Sequence, residues 1–326
     1  MPINDVRNTV LAIANKNNYG YISPQDFNLY AQQSQMDMFE DYFYQYNSQL
    51  TKENLRMSGT GYADITKGLL EVIDTFYVNG PLLNSPGIIG ASSIAPNLYE
   101  LPSDYYLINK MMVYTKELAS GVTTSTNGGS TAVNDTSADF IAAGVSVGDI
   151  ASTITGGVVY NTVISQVVNA TSLLVATTPG VQVWDTFPKT YNIYSANNIL
   201  EAERVAQSKI TMLNNSVLTK PNIGYPAYTQ NALFAEIFPI TINNVGQITS
   251  QYVRYPLPPK WTYVSITLGE PMFDASQADY QDFELPLSDE PALIAKICKY
   301  VGLEIREADV YAFGTEALAN EQQTQE

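Results

Sequence analysis

The sequence predicts an α+β fold: long N-terminal helices and a mixed or antiparallel sheet form a host domain, a small all-β module is inserted into it, and helices return near the C-terminus. Three observations carry this. From Gln25 to Asn47 there is neither Gly nor Pro, as a long helix requires. Between Lys116 and Lys189 lie 72 residues with no Lys or Arg, built from Thr, Ser, Val, Gly, Ala and Asn. On either side the chain is Tyr-rich and charge-bearing, with β-branched and aromatic runs of strand length. The expected division is host domain 1–118, inserted module 119–190, and host domain again over 191–326, ending in helices and a mobile tail. At 326 residues the chain is long enough to bury a substantial core.

Asn4 is placed to cap a first helix carrying Val6, Val10 and Ile13 at helical spacing. Ser23, Pro24 and Asp26 then give a strong start signal: a capping hydroxyl, Pro at the first helical position and an acid in the first turn. The helix that follows is expected to exceed about 30 Å. Phe39, Tyr42, Phe43, Tyr44 and Tyr46 encircle it rather than keeping to one stripe. A helix aromatic on several sides is buried on several sides, and Tyr suits surfaces that are apolar yet hydrogen-bonding, so these residues are candidates for a subunit interface.

From Gly59 to Pro102 turn formers predominate, and short strands and loops are expected, with Leu69–Val78 the most regular piece. Asp104–Lys116 reads as a strand. Inside the charge-poor stretch, Val145–Ile150, Val158–Ile164 and Ser172–Ala176 read as short strands of an antiparallel sandwich or barrel, and Tyr191–Tyr194 as the return to the host sheet. Asn198–Leu213 has helical periodicity. Leu233–Phe238 and Ile248–Arg254 are expected strands, the second running into Tyr255–Trp261, where Pro256, Pro258 and Pro259 impose an extended path. Ser288–Pro291 opens a helix that buries Leu293, Ile294, Ile297, Cys298 and Val301 and that Gly302 closes. A last helix is expected over Glu307–Ala319.

Asp and Glu total 32 against 16 Lys and Arg, a formal net charge of -16. Such a chain repels nucleic acid and anionic lipid. Histidine is absent, which excludes His-based acid/base and nucleophile arrangements and most zinc sites. Cys298 stands alone, so no intramolecular disulfide forms. With no secretory signal and no apolar run of membrane-spanning length, a soluble product made in a cytoplasm, without membrane partners, is expected. Asn15–Asp26 resembles a calcium loop in outline, with Gly20 at the turn, but Asn15 and Asn17 replace the usual carboxylates and a helix joint is preferred. Asp37, Glu40 and Asp41, and likewise Asp274, Asp279, Asp282 and Glu284, could imitate paired catalytic carboxylates, yet a solvated acidic face is the simpler reading. No catalytic residue, cofactor or metal is assigned.

Tyr252–Trp261 followed by Asp282–Arg306 resembles virion structural proteins of tailed bacteriophages, in particular the crAss-like and related phages of aquatic and gut bacteria; Tyr21–Phe27 with its long helix is similar as well. The resemblance covers most of the host domain, and the inserted module is similar to accessory β modules of phage particles. It implies a non-enzymatic ring protein of the neck or head-to-tail connector, often twelve-fold at the portal, residing in the virion beside portal or adjacent neck and tail rings. DNA would pass the lumen without specific binding. Arg254 and Trp261, within the resembling stretch, join the candidate interface. A head decoration or tail-tip protein, or a carbohydrate-binding module using Trp184 or Trp261 as a sugar platform, are the alternatives.

Overall fold

The computed structural model describes residues 1–14, 22–54, 65–85, 96–124, 131–177, 183–184, 187–265, 271–304, 311–316 and 319. The chain forms two compact units, one of Met1–Phe76 with Tyr255–Glu326, the other of Tyr77–Arg254. The architecture is α+β. These divisions fall elsewhere than the sequence boundaries at 118 and 190: the charge-poor stretch shares a unit with the sheet strands that flank it. Asn15–Tyr21 of the calcium-like loop lies outside the described residues.

The first unit opens with α1 (Ile3–Ala14) and α2 (Pro24–Asn54). Asn4 is not the cap of α1. The Ile3 amide donates instead to the Asp282 carboxylate at 2.8 Å, so the helix start is held by a residue 279 positions away. Ser23 does cap α2: its hydroxyl accepts from the Asp26 amide at 3.2 Å and donates to the Asp26 carboxylate. At 31 residues α2 spans roughly 45 Å. A third helix, α3 (Ile65–Asp74), stands where strands and loops were expected. Ile65, Leu69, Val72 and Ile73 recur at helical spacing, and the last three pack on the core that α2 lines.

The second unit holds two sheets. β1 (Tyr77–Pro81), β2 (Leu83–Asn84), β3 (Leu98–Glu100) and β4 (Tyr105–Tyr114) belong to the larger one. The smaller takes β5 (Glu117–Val122), β6 (Ala132–Asn134), β7 (Ile150–Thr155), β8 (Val158–Asn169), β9 (Ser172–Val175) and β10 (Thr190–Tyr194), antiparallel in the order β5-β10-β7-β8-β9-β6. Gly156 and Gly157, both with positive φ, make the two-residue hairpin turn between β7 and β8. The outer strands curl towards each other, since the Thr124 amide donates to the Asn134 carbonyl at 2.8 Å and the Thr136 amide to the Thr124 hydroxyl at 2.8 Å. Inside lie Val133, Phe140, Ile164, Leu173, Trp184, Tyr191 and Ile193.

Two expectations change here. Val145–Asp149 is a turn, not a strand: Gly148 has φ 98° and the Asp149 carboxylate accepts from the Ser146 amide at 2.8 Å. Tyr191–Tyr194 stays in the smaller sheet, so the return to the larger one falls to β11 (Ile199–Arg204).

That strand overturns the helix expected over Asn198–Leu213. β11 pairs antiparallel with β4 and parallel with β12 (Ala227–Gln230), and two pairing edges outweigh the helical preference of its side chains. Only Gln207–Asn215 is helical, as α4, the crossover between the parallel strands. β13 (Phe234–Phe238) and β14 (Ile248–Arg254) complete an eight-stranded sheet of order β1-β14-β4-β11-β12-β13-β3-β2. Tyr99, Met111, Val113, Ile237, Ile248 and Tyr252 form its core.

The two sheets meet at Asn244–Gly246. The Asn161 side-chain amide donates to the Gly246 carbonyl at 3.0 Å, the Tyr194 hydroxyl to the Val245 carbonyl at 2.7 Å, and the Asn244 side-chain amide to the Glu117 carboxylate at 2.7 Å. Gly246 has φ 69°, and a Cβ there would fall 2.3 Å from the Ser152 hydroxyl.

The chain then returns to the first unit. β15 (Tyr263–Ser265) and β16 (Pro271–Phe273) form a small antiparallel pair, and a 3-10 turn at Leu287–Asp289 leads into α5 (Glu290–Glu304). α5 packs on α1 and α2 around Val6, Val10, Phe27, Ala31, Leu293, Ile297 and Val301. Gly302 does not close α5, which continues through it. A side chain there would fall 2.6 Å from the Tyr311 amide nitrogen, so Gly302 serves a close backbone approach. Residues 311–316 are helical, while the rest of the expected Glu307–Ala319 helix, save Ala319, and the tail lie outside the described residues.

Candidate subunit interface

The candidate aromatic residues of α2 divide by face. Phe39 is fully buried, edge-on to Phe43 and to Phe76 with ring centroids 5.1 Å apart in both pairs, and it also meets Tyr255. Tyr42 is buried and its hydroxyl donates to Asp289. Phe43 and Tyr46 are half-buried. Tyr44 alone points outward, 77% exposed. It lies on an outer line of the helix with Leu29, Gln33, Glu40, Asn47 and Thr51, spaced by three, four or seven residues. Most of the aromatic belt therefore packs in the chain's own core, and of these candidates Tyr44 is the one left exposed.

Trp261 is likewise not available to a second subunit, nor as a sugar platform. It is 2% exposed, stacked on Tyr263 and Phe273 at 5.7 and 5.9 Å, with the Arg7 guanidinium 3.8 Å above its ring and its indole N–H donated to Asn4 Oδ1 at 3.1 Å. Trp184 is also buried, donating to the Thr162 hydroxyl at 3.2 Å. Arg254 is half-buried at the end of β14, opposite Tyr105.

The proline-rich stretch before Trp261 forms a strap along α2. Asn28 clasps the Trp261 backbone at both its amide and its carbonyl, at 2.8 and 3.1 Å. Gln35, fully buried, donates to the Leu257 carbonyl at 2.8 Å and accepts from the Glu284 amide at 3.1 Å. The spacing explains the fit: seven helical residues rise about 10.5 Å and four extended residues cover about 12 Å.

Most of the carboxylates that could imitate a catalytic pair hold structure, while Glu40 stands exposed. Asp37 accepts from the Tyr300 hydroxyl at 2.7 Å and Asp41 pairs with Lys296, tying α2 to α5. Burial, then the Asp37 hydrogen bond, push the Tyr300 phenol up to about 12. Asp274 closes a turn through Ser276, whose hydrogen bonds hold its carboxyl below the usual range; Asp279 pairs with Lys260, and Glu284 accepts from the Leu257 amide at 2.8 Å. Burial pushes the Cys298 thiol up to about 11, leaving it protonated and a poor nucleophile at neutral pH. Among the described residues no group of three or more Cys, Asp or Glu is placed to hold a metal ion, and no helix is long and apolar enough to cross a membrane.

The chain matches no protein-family model and no curated protein.

Among the described residues, several of the most exposed apolar groups lie where sequence periodicity did not point. Met212 on α4, and Val217, Leu218 and Tyr225 in the loop after it, are 76, 97, 95 and 81% exposed. No Asp or Glu occurs between Glu203 and Glu236, but 150–184 and 237–269 are acid-free as well, so the sequence does not single this segment out.

Proposed function

We propose that the chain is a structural virion protein that closes into a homo-oligomeric ring of about twelve copies, in the neck or head-to-tail connector of a tailed phage, made in the bacterial host's cytoplasm. The observation that carries the reading is the set of large apolar side chains left uncovered on ordered elements of the single subunit, Tyr44 on α2 and Val217, Leu218 and Tyr225 beyond α4. Val217 and Leu218 are adjacent, and an exposed apolar patch marks a surface that another protein covers. The exposed groups sit on different elements, and heterologous contacts that close a ring pair two different surface patches of each subunit. The resemblance of Tyr252–Trp261 and Asp282–Arg306 to phage virion proteins supplies the setting.

Native mass spectrometry and negative-stain micrographs of the purified chain test this. The expected result is a closed ring at micromolar concentration. A monomer at every concentration would overturn it, and trimers or hexamers would move the protein to a head decoration or the tail tip.

The net charge of -16 suits a passage through which DNA slides without adhering. At about 0.1 M salt the assembled protein is expected to leave a linear duplex unretarded in a gel-shift assay. Retention that weakens steeply with salt would reveal a basic channel wall and end that role.

A further inference from the structure

We infer that Gln207–Tyr225, the α4 helix with its loop, is a docking arm that seats on the outer line of α2 in a second copy of this chain. The inference rests on the ring reading and names the two faces of its contact.

The arm is ordered, not a loose loop. α4 is anchored by buried Ile210, and its last turn is closed by the Ser216 amide donating to the Leu213 carbonyl at 3.1 Å. Beyond it Pro221 is buried, and Asn222 and Tyr225 pair backbone to backbone, at 3.2 and 3.0 Å. The Asn222 side chain accepts from the Gly224 and Tyr225 amides at 2.8 and 3.1 Å. On this scaffold Met212, Val217, Leu218 and Tyr225 stand in solvent. Ordered apolar groups bind with little further loss of freedom.

Charge selects the occupant. Within Glu203–Glu236 the only ionisable side chains between the two acids, tyrosines aside, are Arg204, Lys209 and Lys220. The unit formed by Met1–Phe76 and Tyr255–Glu326 carries 22 acidic and nine basic residues, whereas Tyr77–Arg254 carries ten and seven. An apolar arm rimmed by lysine thus has its complement on the first unit of another copy. The outer line of α2 offers both kinds of group, with Leu29 and Tyr44 exposed and Glu40 one turn before Tyr44. Complementary rim charge fixes register and speeds encounter, and the apolar centre supplies the hold. Three cations in a chain of net charge -16 are too few to retain nucleic acid by counterion release.

Two arm variants test this by sedimentation velocity on the full chain: Val217→Ser with Leu218→Ser and Tyr225→Ser, and Lys209→Glu with Lys220→Glu. All five positions are exposed, so circular dichroism should be unchanged. The apolar variant is expected to weaken association at least ~tenfold. The charge variant should weaken it by a similar factor at low salt and by less at about 0.5 M. Tyr44→Ser should weaken it too, and combining it with the apolar arm variant should add little, because both remove one contact. Rings of unchanged stability in the arm variants would overturn the arm and leave the ring reading intact. Additive losses with Tyr44→Ser would place the arm on a different seat and overturn the assignment to α2. A wild-type chain that never associates would overturn both readings.

Discussion

Trp261→Ala is expected to cost the first unit about 4 kcal/mol, read as a drop in the midpoint of guanidinium unfolding. Three losses combine. The indole leaves a cavity between Tyr263, Phe273 and α1, which the strap cannot collapse into while Asn28 and Gln35 grip its backbone. The Arg7 guanidinium, itself buried, loses the ring 3.8 Å below it, and a buried cation stripped of a compensating contact is costly. Asn4 loses its indole donor. Trp261→Phe keeps a ring beneath Arg7 and drops only the N–H and part of the area, so roughly 1 to 2 kcal/mol is expected. If alanine cost less than about 1 kcal/mol, Trp261 would not be the anchor of this core. Because the candidate interface on α2 is displayed by this same core, the alanine variant is also expected to assemble poorly at temperatures near its lowered melting point.

This anchor illustrates what could be read in the sequence and what could not. The strap was legible as extended chain from Pro256, Pro258 and Pro259, but nothing local says which way a lone Trp at its end turns. Burial is decided by Asn4, Arg7 and Asn28, more than 230 positions away. The start of α2 was legible because a cap is a local arrangement, Ser23 with Asp26. Which aromatic faces outward was not. Tyr42 and Tyr44 lie about 200° apart around the helix, and apolar groups occur on nearly every side of it, so periodicity cannot choose the core face. β11 was misread for a related reason. Ile199–Arg204 fits a helix as an isolated segment, and only its partners β4 and β12 make it a strand.

The candidate interface was half legible. Tyr44 is a candidate by its sequence setting and is exposed, but Phe39, Tyr42 and Trp261, candidates as well, are internal. Val217, Leu218 and Tyr225 escaped because periodicity ranks residues by what they bury, and these bury little. The acid-free interval from Glu203 to Glu236 does not single them out either, since 150–184 and 237–269 are acid-free as well.

Gly246→Ala is expected to cost the second unit about 3 to 4 kcal/mol, with the damage concentrated where the two sheets join. Two effects add. At φ 69° an alanine is strained by about 1 to 2 kcal/mol. Its Cβ would also lie 2.4 Å from both the Ser152 Cβ and the Asn161 Oδ1. Ser152 is fully buried on β7, and Asn161 is held by its hydrogen bonds to the Ser152 hydroxyl and the Gly246 carbonyl, at 2.6 and 3.0 Å. Neither can step aside without moving a strand, so the smaller sheet must lift from the Asn244–Gly246 loop. Gly156→Ala is the control. That glycine also has positive φ, 59°, but a Cβ there meets nothing within 4 Å, so only the backbone strain remains. The difference between the two variants in thermal melts isolates the steric contribution, expected near 2 kcal/mol. Hydrogen exchange should quicken in β7, β8 and β10 for Gly246→Ala and stay near wild type in β4 and β14. Equal costs at the two glycines would mean that the smaller sheet does not rest on this loop.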